Sequence, residues 1–452
     1  MALLAGCAAP VDVRLDSSLP EHWQQPAAAA GADTRLAEWW KAWNDPRLNA
    51  LVDEALAQNL DVAHAVLRLR QQKLLADTAA SPFMPVVSAG ARTLQDIAAI
   101  DSYFHASVEV SWDLGLFGES ESARRAGSAG LLDARAQLHA ARVALVAGVV
   151  HRYLDIRLAQ RQRALLAQLQ DQDQRHLELL QVRRAQRLSD TYALQQQQLL
   201  SQQVLAQQAA VSEAQARAAH GLAALLGRDR PDGQWLQADP DAGLPTLQGV
   251  AVVPADLLRN RPDIQSAEAA VERAAAALGM SHAALYPRFT LTGSLLYSYN
   301  LTQNLRTTSD QMPLIGPQID IPLFDWGRRR AQVDANELAL QASIKAYRQS
   351  VLDGVADAES ALAAIAAQQQ RLQGLRSTQQ IYLTRDKTQA VRQKLGLGSE
   401  LGGMDNRRAA LLAQSDMATA QAAEALAYVA LYKALGAAPL YDIAQAAQEA
   451  QP

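Results

Sequence analysis

The residue with the most reactive side chain is Cys7, the only cysteine of the 452-residue chain, at the end of the opening stretch MALLAGC. A single cysteine excludes an intrachain disulfide framework and a metal site built from several cysteines. Two interpretations of Cys7 therefore stay open at this point. It is either an ordinary small core residue near the start of the chain or a point of chemical attachment.

The remaining residue types give no support to catalysis. Among the eight histidines, the closest pair, His139 and His151, lie 12 positions apart, and no HExxH spacing occurs. The chain has no P-loop, no GxSxG, and no GxGxxG after a strand, and GLGSELGG at 396–403 has the spacing of a turn. We therefore predict a protein that is not an enzyme and that holds no cofactor and no metal.

Composition and charge narrow the class further. A net charge of -4 and a pI near 6.1 give no reason to expect a nucleic-acid partner, and the short arginine runs at 183–184 and 328–330 lie in helix-like stretches. Aromatic residues make up only 5%, which is typical of long packed helices. No apolar stretch reaches about 18 residues, the length that a membrane-spanning helix needs.

The elements that position these residues occur twice along the chain. Segment 59–91 resembles segment 261–294, with Asp61 matching Asp263 at an offset of 202 residues. Further on, Gly118 matches Gly327 at an offset of 209 residues. Each half therefore reads as helix, strand, strand, long helix, turn and helix. The segment between them, 227–262, is rich in proline and glycine.

The long helices are predicted over about 119–186 and 327–394. Apolar residues recur there at alternating spacings of three and four, which is a coiled-coil-like seam. About 68 residues at 1.5 Å each give roughly 100 Å, far longer than an ordinary globular helix.

Four segments alternate between apolar and polar residues, as strands do: 86–94, 103–113, 289–299 and 314–323. Segments of this length with aromatic ends suit transmembrane β-strands, and a soluble half-buried sheet gives the same pattern. Four strands are too few to close a transmembrane barrel, which begins at eight in single chains. If these strands cross a membrane, several chains must share one barrel, and a trimer would contribute twelve strands.

Several motifs in the right order resemble the outer membrane factors, the TolC-like channels of tripartite pumps, and in particular the NodT-type efflux lipoproteins. They are EWWKAWNDPRLNALVDEALAQNLDVAHAVLRLR (38–70), VPADLLRNRPDIQSAE (253–268) and PLFDWGRRRA (322–331). The resemblance implies a mainly α fold with a transmembrane β-barrel portion. In this family, trimers share a twelve-stranded barrel, and the long helices form an α-barrel through the periplasm that closes at a tapered tip.

The resemblance also assigns the first residues. Leu4-Ala5-Gly6-Cys7 matches the processing site of the family's lipoproteins, which implies lipidation of Cys7 with palmitate. Only six residues precede Cys7, which is too short for a signal peptide. We therefore expect that Met1 is not the true start or that upstream residues precede this sequence. The expected segments are 1–6 (signal-peptide remnant), 7–46 (lipidated extended segment), 47–226 (first repeat), 227–255 (linker), 256–436 (second repeat) and 437–452 (tail).

The tip should lie where each long helix turns into its shorter partner. The family resemblance implies a gate-lining acid at Asp405, and we expect Glu400, Asp190, Arg187 and Arg392 near it, with Arg407 as a further possible partner. The alternative for the acids is helix capping or solvent exposure. In the first turn Gln186 stands where the family often has glycine, and Gln195 stands opposite Asp405. The expected adaptor-docking residues of the two turns are Leu188, Ser189, Gly396, Leu397, Gly398 and Ser399.

The function implied is a passive, trimeric exit duct in the outer membrane, lipid-anchored and extending into the periplasm. It would conduct drugs, solvents or metal ions from an inner-membrane transporter, of the resistance-nodulation-division type, and a periplasmic adaptor. The alternatives are a type I secretion duct for polypeptides and a soluble coiled-coil scaffold. Four aromatic residues are expected at the membrane interface: Tyr103, Trp112, Tyr297 and Tyr299.

Overall fold

The fold is taken from a computed structural model, which describes residues 15, 23–24, 36–96, 101–239, 243–244, 258, 260–306 and 313–441. Cys7 and the expected signal-peptide remnant lie outside the described residues. Within them, the predicted two-fold repeat of helices and strands is confirmed.

The first repeat consists of α2 (Leu60–Asp77), β1 (Val86–Asp96), β2 (Asp101–Asp113), α3 (Glu119–Ala185) and α4 (Thr191–Leu225), and α1 (Pro46–Gln58) precedes it. The second consists of α5 (Pro262–Ala283), β3 (Arg288–Asn300), β4 (Leu305–Arg306), β5 (Leu314–Asp320), α6 (Arg328–Lys394) and α7 (Glu400–Ala434). The two-residue strand β4 was not predicted, and β5 ends at Asp320 instead of near residue 323. Both long helices contain 67 residues and both shorter partners contain 35.

The four helices end in the same way, with one residue in the left-handed region. That residue is Gly227 after α4, Gly396 after α6 and Gly436 after α7, but it is Arg187 after α3, where φ is 59°. After α3, the Leu188 N–H donates to the Arg183 carbonyl at 2.8 Å, as in a Schellman motif. The expected alignment at this turn was therefore wrong by one residue, since Arg187 and not Gln186 takes the glycine position.

The strands form one antiparallel sheet in the order β1-β2-β3-β5, with β4 also paired to β3. Val110 of β2 lies opposite Gly293 of β3, and Ile319 of β5 lies opposite Phe289. Alternation then places Val108, Val110, Leu295 and Ile319 on one face, with Ser107, Ser111 and Glu109 on the other. β1 and β5 are the two edges of this sheet, and the described residues provide no strand that pairs with either outer side.

The chain divides into two compact units. The first contains 66–137 and 263–351, which include the sheet, and the second contains 19–65, 138–262 and 352–452, which include both turns between the long and short helices. In the second unit the ring of Trp39 stacks on Tyr432 at 4.7 Å, and its indole N–H donates to the Ala437 carbonyl at 3.3 Å. Burial of the Tyr432 phenol raises its pKa to about 12.

Each repeat contains an equivalent contact between the start of its first helix and the end of its short helix. The Asn59 amide donates to the Leu225 carbonyl at 2.9 Å, and the Arg261 guanidinium donates to the Ala434 carbonyl at 2.8 Å. Asn59 and Arg261 differ by 202 positions, and their acceptors differ by 209, as the sequence repeat requires. The end of α4 is therefore fixed by the residue that precedes α2, and the end of α7 is fixed by the residue that precedes α5.

Candidate gate and docking surface at the helix turns

The tip turns, residues 186–190 and 395–399, connect each long helix to its shorter partner. Leu188 and Leu397 occupy equivalent positions in the two turns and are both exposed. In the first turn, the Asp190 carboxylate accepts a hydrogen bond from the Ala193 N–H at 2.9 Å and caps α4. The capping alternative therefore accounts for Asp190, and the neighbouring Ser189 is half-buried.

Ser399 occupies the equivalent cap position of the second turn, where its hydroxyl accepts from the Gly402 N–H at 3.2 Å. The side-chain amides of Gln389 and Gln393 both donate to the Ser399 carbonyl, at 3.1 and 3.2 Å. A side chain at Gly403 would lie 2.8 Å from the Gln393 amide, so glycine allows the start of α7 to approach α6 closely. This turn is therefore held by side chains on both of its helices. Gly398 is also close to α6, since a side chain there would lie 3.3 Å from the Gln393 backbone nitrogen.

Asp405 lies on the second turn of α7 and is exposed. Its carboxylate is 3.9 Å from Nδ1 of His176 on α3, whose side chain is largely buried, and the pair attracts only when the histidine is protonated. Residue Gln196, and not Gln195, is the equivalent of Asp405 in the first repeat. Of these two equivalent positions, only the one in the second repeat is acidic.

A buried ion pair joins α7 to α3 a few helical turns away from the tip turns. Arg408 of α7 donates to both carboxylate oxygens of Asp173 of α3, at 2.6 and 2.5 Å, and the Gln197 amide of α4 donates to the same carboxylate at 3.0 Å. The Asp173 side chain is only 1% exposed. Because the three residues come from α3, α4 and α7, this network, called here the buried clamp, joins the two repeats close to the tip turns.

A second, weaker contact joins α7 to α6. Arg407 approaches Asp386 of α6 at 3.8 Å, and both side chains are about half exposed. They line a groove of about 350 Å³ between α3, α6 and α7, together with Gln168, Gln172 and Tyr382. The Gln172 amide nitrogen is buried there without a hydrogen-bond partner among the described residues.

The expected site residues are therefore only partly brought together. Arg187, Arg392 and Glu400 are exposed, and the described part of the chain pairs none of them with an opposite charge. Sequence reasoning missed the buried clamp. The available signal was position, because Asp173 continues the apolar stripe of Leu166, Leu169 and Leu180 on α3.

The four aromatic residues occupy both ends of the sheet. The Trp112 indole donates to the Phe83 carbonyl at 3.0 Å near the start of α3, whereas Tyr297 and Tyr299 lie at the far end of β3. These three lie on the face that carries Val108 and Val110. Tyr103 lies on the opposite face beside His105, so its strand position departs from the expected girdle.

Two searches of the described residues complete the picture. None of their helices has the length and apolarity that a membrane crossing requires. They also contain no cluster of three or more His, Cys, Asp or Glu side chains arranged to hold a metal ion.

Comparison with known proteins shows which sequences and which fold this chain resembles. The chain is 28% identical to the pyoverdine export outer membrane protein OpmQ of Pseudomonas aeruginosa, over 96% of this chain and 94% of that protein. It is 27% identical to the cation efflux system protein CusC of Escherichia coli, over 96% of each. Its fold matches the open state of the Neisseria gonorrhoeae MtrE outer membrane channel with a TM-score of 0.81 and 24% identity, covering 96% of this chain and 99% of that one.

These relatives are export, efflux and channel proteins of the outer membrane, and the TolC-like fold predicted from the sequence is the one observed. The family model of the outer membrane efflux proteins matches residues 51–228 and 253–437, which include every long helix and every strand. The chain belongs to the outer membrane efflux protein family.

Proposed function

We propose that three copies of this chain form a passive exit duct across the outer membrane. The observation that carries this proposal is the sheet, because its two edge strands β1 and β5 lack partners among the described residues. Unpaired backbone groups are too costly in lipid, so the sheet must close, and twelve strands from three copies are enough for a closed barrel. The duct itself performs no chemistry, and the energy comes from its partners.

The gate of this duct is the ring of three Asp405 carboxylates. Asp405 is exposed on α7, close to a turn that Gln389 and Gln393 hold in place. Three like charges around a narrow opening attract cations and disfavour anions. Opening requires the tip turns to move apart, and the buried clamp opposes this movement because it ties α7 to α3 and α4.

Conductance of the purified protein in planar bilayers tests the gate. Asp405→Asn should lower the preference for cations over anions, measured as the shift in reversal potential across a salt gradient. Asp416→Asn is the matched control, because 11 residues return to nearly the same helix face about 16 Å further from the turn. Equal selectivity in the Asp405→Asn variant and the unmodified channel would remove Asp405 from the gate.

The partners of the duct are a periplasmic adaptor and an inner-membrane transporter of the resistance-nodulation-division type. The tip turns offer the adaptor exposed apolar residues, Leu188 and Leu397, in equivalent settings. The two turns differ in backbone requirement, since one has Arg187 where the other has Gly396. Site-specific photocross-linkers at Leu188 and Leu397 should capture an adaptor in cells, and failure at both positions would exclude docking at the turns.

Cys7 provides the lipid anchor in this proposal. It rests on the Leu-Ala-Gly-Cys match in the sequence. Labelled palmitate should enter the full-length protein and disappear in a Cys7→Ser variant, whereas retained label in that variant would disprove the anchor.

The exported substrates are small molecules or ions, in line with the pyoverdine export and cation efflux of the relatives. A deletion strain should show raised susceptibility on panels of drugs, solvents and metal salts, and the intact gene should restore resistance. If no panel changes and a polypeptide accumulates inside the cell instead, the chain serves type I secretion. A protein recovered in the soluble fraction would support the scaffold and overturn the duct.

A further inference from the structure

The seam between the two repeats in the first unit has three parts, all within one chain. β2 pairs with β3, with Glu109 opposite Ser294. Below the sheet, the ring of Phe117 stacks on Tyr286 at 4.8 Å. Further along, the Arg125 guanidinium of α3 donates to the Glu272 carboxylate of α5 at 2.6 Å. Strand, aromatic pair and ion pair together define what is called here the internal seam.

Each side of the internal seam has a counterpart elsewhere in the chain. The side formed by β2 and α3 maps onto β5 and α6 at the offset of 209 residues, and the side formed by β3 and α5 maps onto β1 and α2 at the offset of 202. The counterparts of Phe117 and Tyr286 are Trp326 and Met84. Within one chain, these two mapped surfaces lie at opposite edges of the sheet, so they do not meet.

The mapped surfaces are open where the internal seam is closed. Trp326 is 89% exposed and Met84 is 54% exposed, although their counterparts stack on each other. The same contrast holds for the helices. Leu338 of α6 and Leu67 of α2 are exposed, whereas their counterparts, Ala129 and Ala269, are fully buried.

The charges on the mapped surfaces complement each other with the signs exchanged. Arg125 of α3 corresponds to Asp334 of α6, and Glu272 of α5 corresponds to Arg70 of α2. A basic–acidic contact in the internal seam thus becomes an acidic–basic one. Arg70 and Asp334 are both exposed.

We propose that the contact between copies repeats the register of the internal seam, so that β5, Trp326 and Asp334 of one copy meet β1, Met84 and Arg70 of the next. This proposal rests on the trimer of the proposed function and adds the register and the contact residues. Gln318 then lies opposite Arg92 of the next copy, and Ile319 lies opposite Ala91. The apolar face stays continuous across the seam, because Ile319 and Ala91 both lie on the face that carries Val110.

A second copy suits this surface better than lipid does. Two edge strands present rows of backbone donors and acceptors, which hydrocarbon cannot satisfy and another strand can. The opposite charges of Asp334 and Arg70 also suit a second copy better than they suit hydrocarbon. A head-to-tail contact of this kind closes into a ring when the rotation per copy allows it.

The two seams are not identical, and the difference is informative. In the internal seam, Arg288 pairs with Asp113, an ion pair between β3 and β2. The counterparts at this level are Val86 and Pro322, so the seam between copies has an apolar contact there. The seam between copies therefore relies on Asp334 and Arg70 for its ion pair.

Disulfide cross-linking in isolated membranes tests the register. Gln318→Cys with Arg92→Cys should yield covalently linked trimers on oxidation, seen on denaturing gels without reductant. Opposed residues in an antiparallel pair have Cα atoms about 4.5–5.5 Å apart, which suits a disulfide. Within one chain these strands are about 14 Å apart, because two strands lie between them, so the link must join two copies.

The matched controls shift the pairing by two residues on the same face. Gln318→Cys is combined with Gly90→Cys or with Leu94→Cys, which the proposed register keeps about 8 Å from it, too far for a disulfide. A cysteine at Gly90 fits, since its Cβ would lie 3.7 Å from the Ser107 hydroxyl. A link in either control pair in place of the Arg92→Cys pair would overturn the register, and the chain with Cys7 alone shows the background.

The unmodified chain separates this proposal from the trimer itself. If amine cross-linking of the unmodified chain in membranes gives only monomers, the trimer of the proposed function fails, and the seam fails with it. If the unmodified chain gives trimers but the Gln318→Cys and Arg92→Cys pair stays unlinked, the register alone is wrong.

A charge exchange provides a second test that needs no cysteine. Asp334→Lys and Arg70→Glu should each lower the temperature at which the oligomer dissociates on gels, and the double variant should recover most of the loss. The matched control is Asp334→Lys with Arg68→Glu, because Arg68 points about 200° away from Arg70 around α2. Additive losses in the Asp334 and Arg70 double variant would overturn the ion pair.

Discussion

Removal of the arginine from the buried clamp is the sharpest test of how the tip is held. Arg408→Met leaves the Asp173 carboxylate buried, with the Gln197 amide as its only remaining donor in the clamp. Loss of one partner from a buried ion pair costs about 3–5 kcal/mol. We therefore expect the helices near the clamp to lose about 3–5 kcal/mol of local stability.

Amide hydrogen exchange measures this loss directly, because a large membrane oligomer does not unfold in one reversible step. Exchange of the last turns of α3 and the first turns of α4 should accelerate roughly 150- to 5,000-fold.

Two further variants make this prediction specific. Arg407→Met removes the half-exposed contact with Asp386 at 3.8 Å and should change exchange by less than about fivefold. Asp173→Leu combined with Arg408→Met replaces both charges with apolar groups and should restore most of the protection. If Arg408→Met accelerates exchange no more than Arg407→Met does, the clamp does not hold the tip.

Three further predictions concern backbone and titration. Arg187→Gly should stabilise the first tip turn by about 1 kcal/mol, and Gly396→Ala should destabilise the second by a similar amount, because only glycine adopts positive φ without strain. Hydrogen exchange of each turn measures both changes, and a change in the same direction in the two variants would contradict the argument. Asp190→Ala and Ser399→Ala should each cost about 0.5–2 kcal/mol by removing an N-cap, with faster exchange in the first turn of α4 or α7 only. Burial raises the pKa of the Glu424 carboxyl, so its neutral form is favoured in the folded chain. The stability that this carboxyl contributes is present below pH 4.5 and is lost as the pH rises through the raised pKa. Glu424→Gln should therefore flatten the fall in thermal stability between acidic and neutral pH, and an unchanged pH profile would argue against this titration.

The repeat and the helix type were predictable because they rest on long-range pattern. Spacing between Gly118 and Gly327 fixed the offset, and the apolar seam indicated the long helices. The conformation and burial of individual residues could not be predicted. Arg187 gives no sign in its side chain that its backbone is left-handed, and this shifted the expected alignment of the first turn by one residue. Asp173 continues the apolar stripe of α3, but the residue that pairs with it in the interior, Arg408, is 235 positions away.

The face of each strand was predictable only where the alternation was long. Val108, Val110 and Leu295 share a face in the sheet as their spacing indicates. Tyr103 was grouped with the other aromatic residues by type, whereas strand parity places it on the other face. Ion pairs between elements, such as Arg125 with Glu272, depend on side-chain reach between segments far apart in sequence. They were beyond sequence reasoning, although the repeat offsets relate such contacts once one of them is known.

The equal lengths of the paired helices limit how this chain can change. One residue added to α3 alone would advance its tip turn by 1.5 Å and rotate it by about 100°, while the turn after α6 stayed in place. Asp173 would then leave the level of Arg408, and the cap at Asp190 would no longer match the one at Ser399. Insertions and deletions are therefore tolerable only in matched sets, in both helices of a hairpin and in both repeats. The length of the hairpins should vary among relatives by such coordinated steps, or not at all.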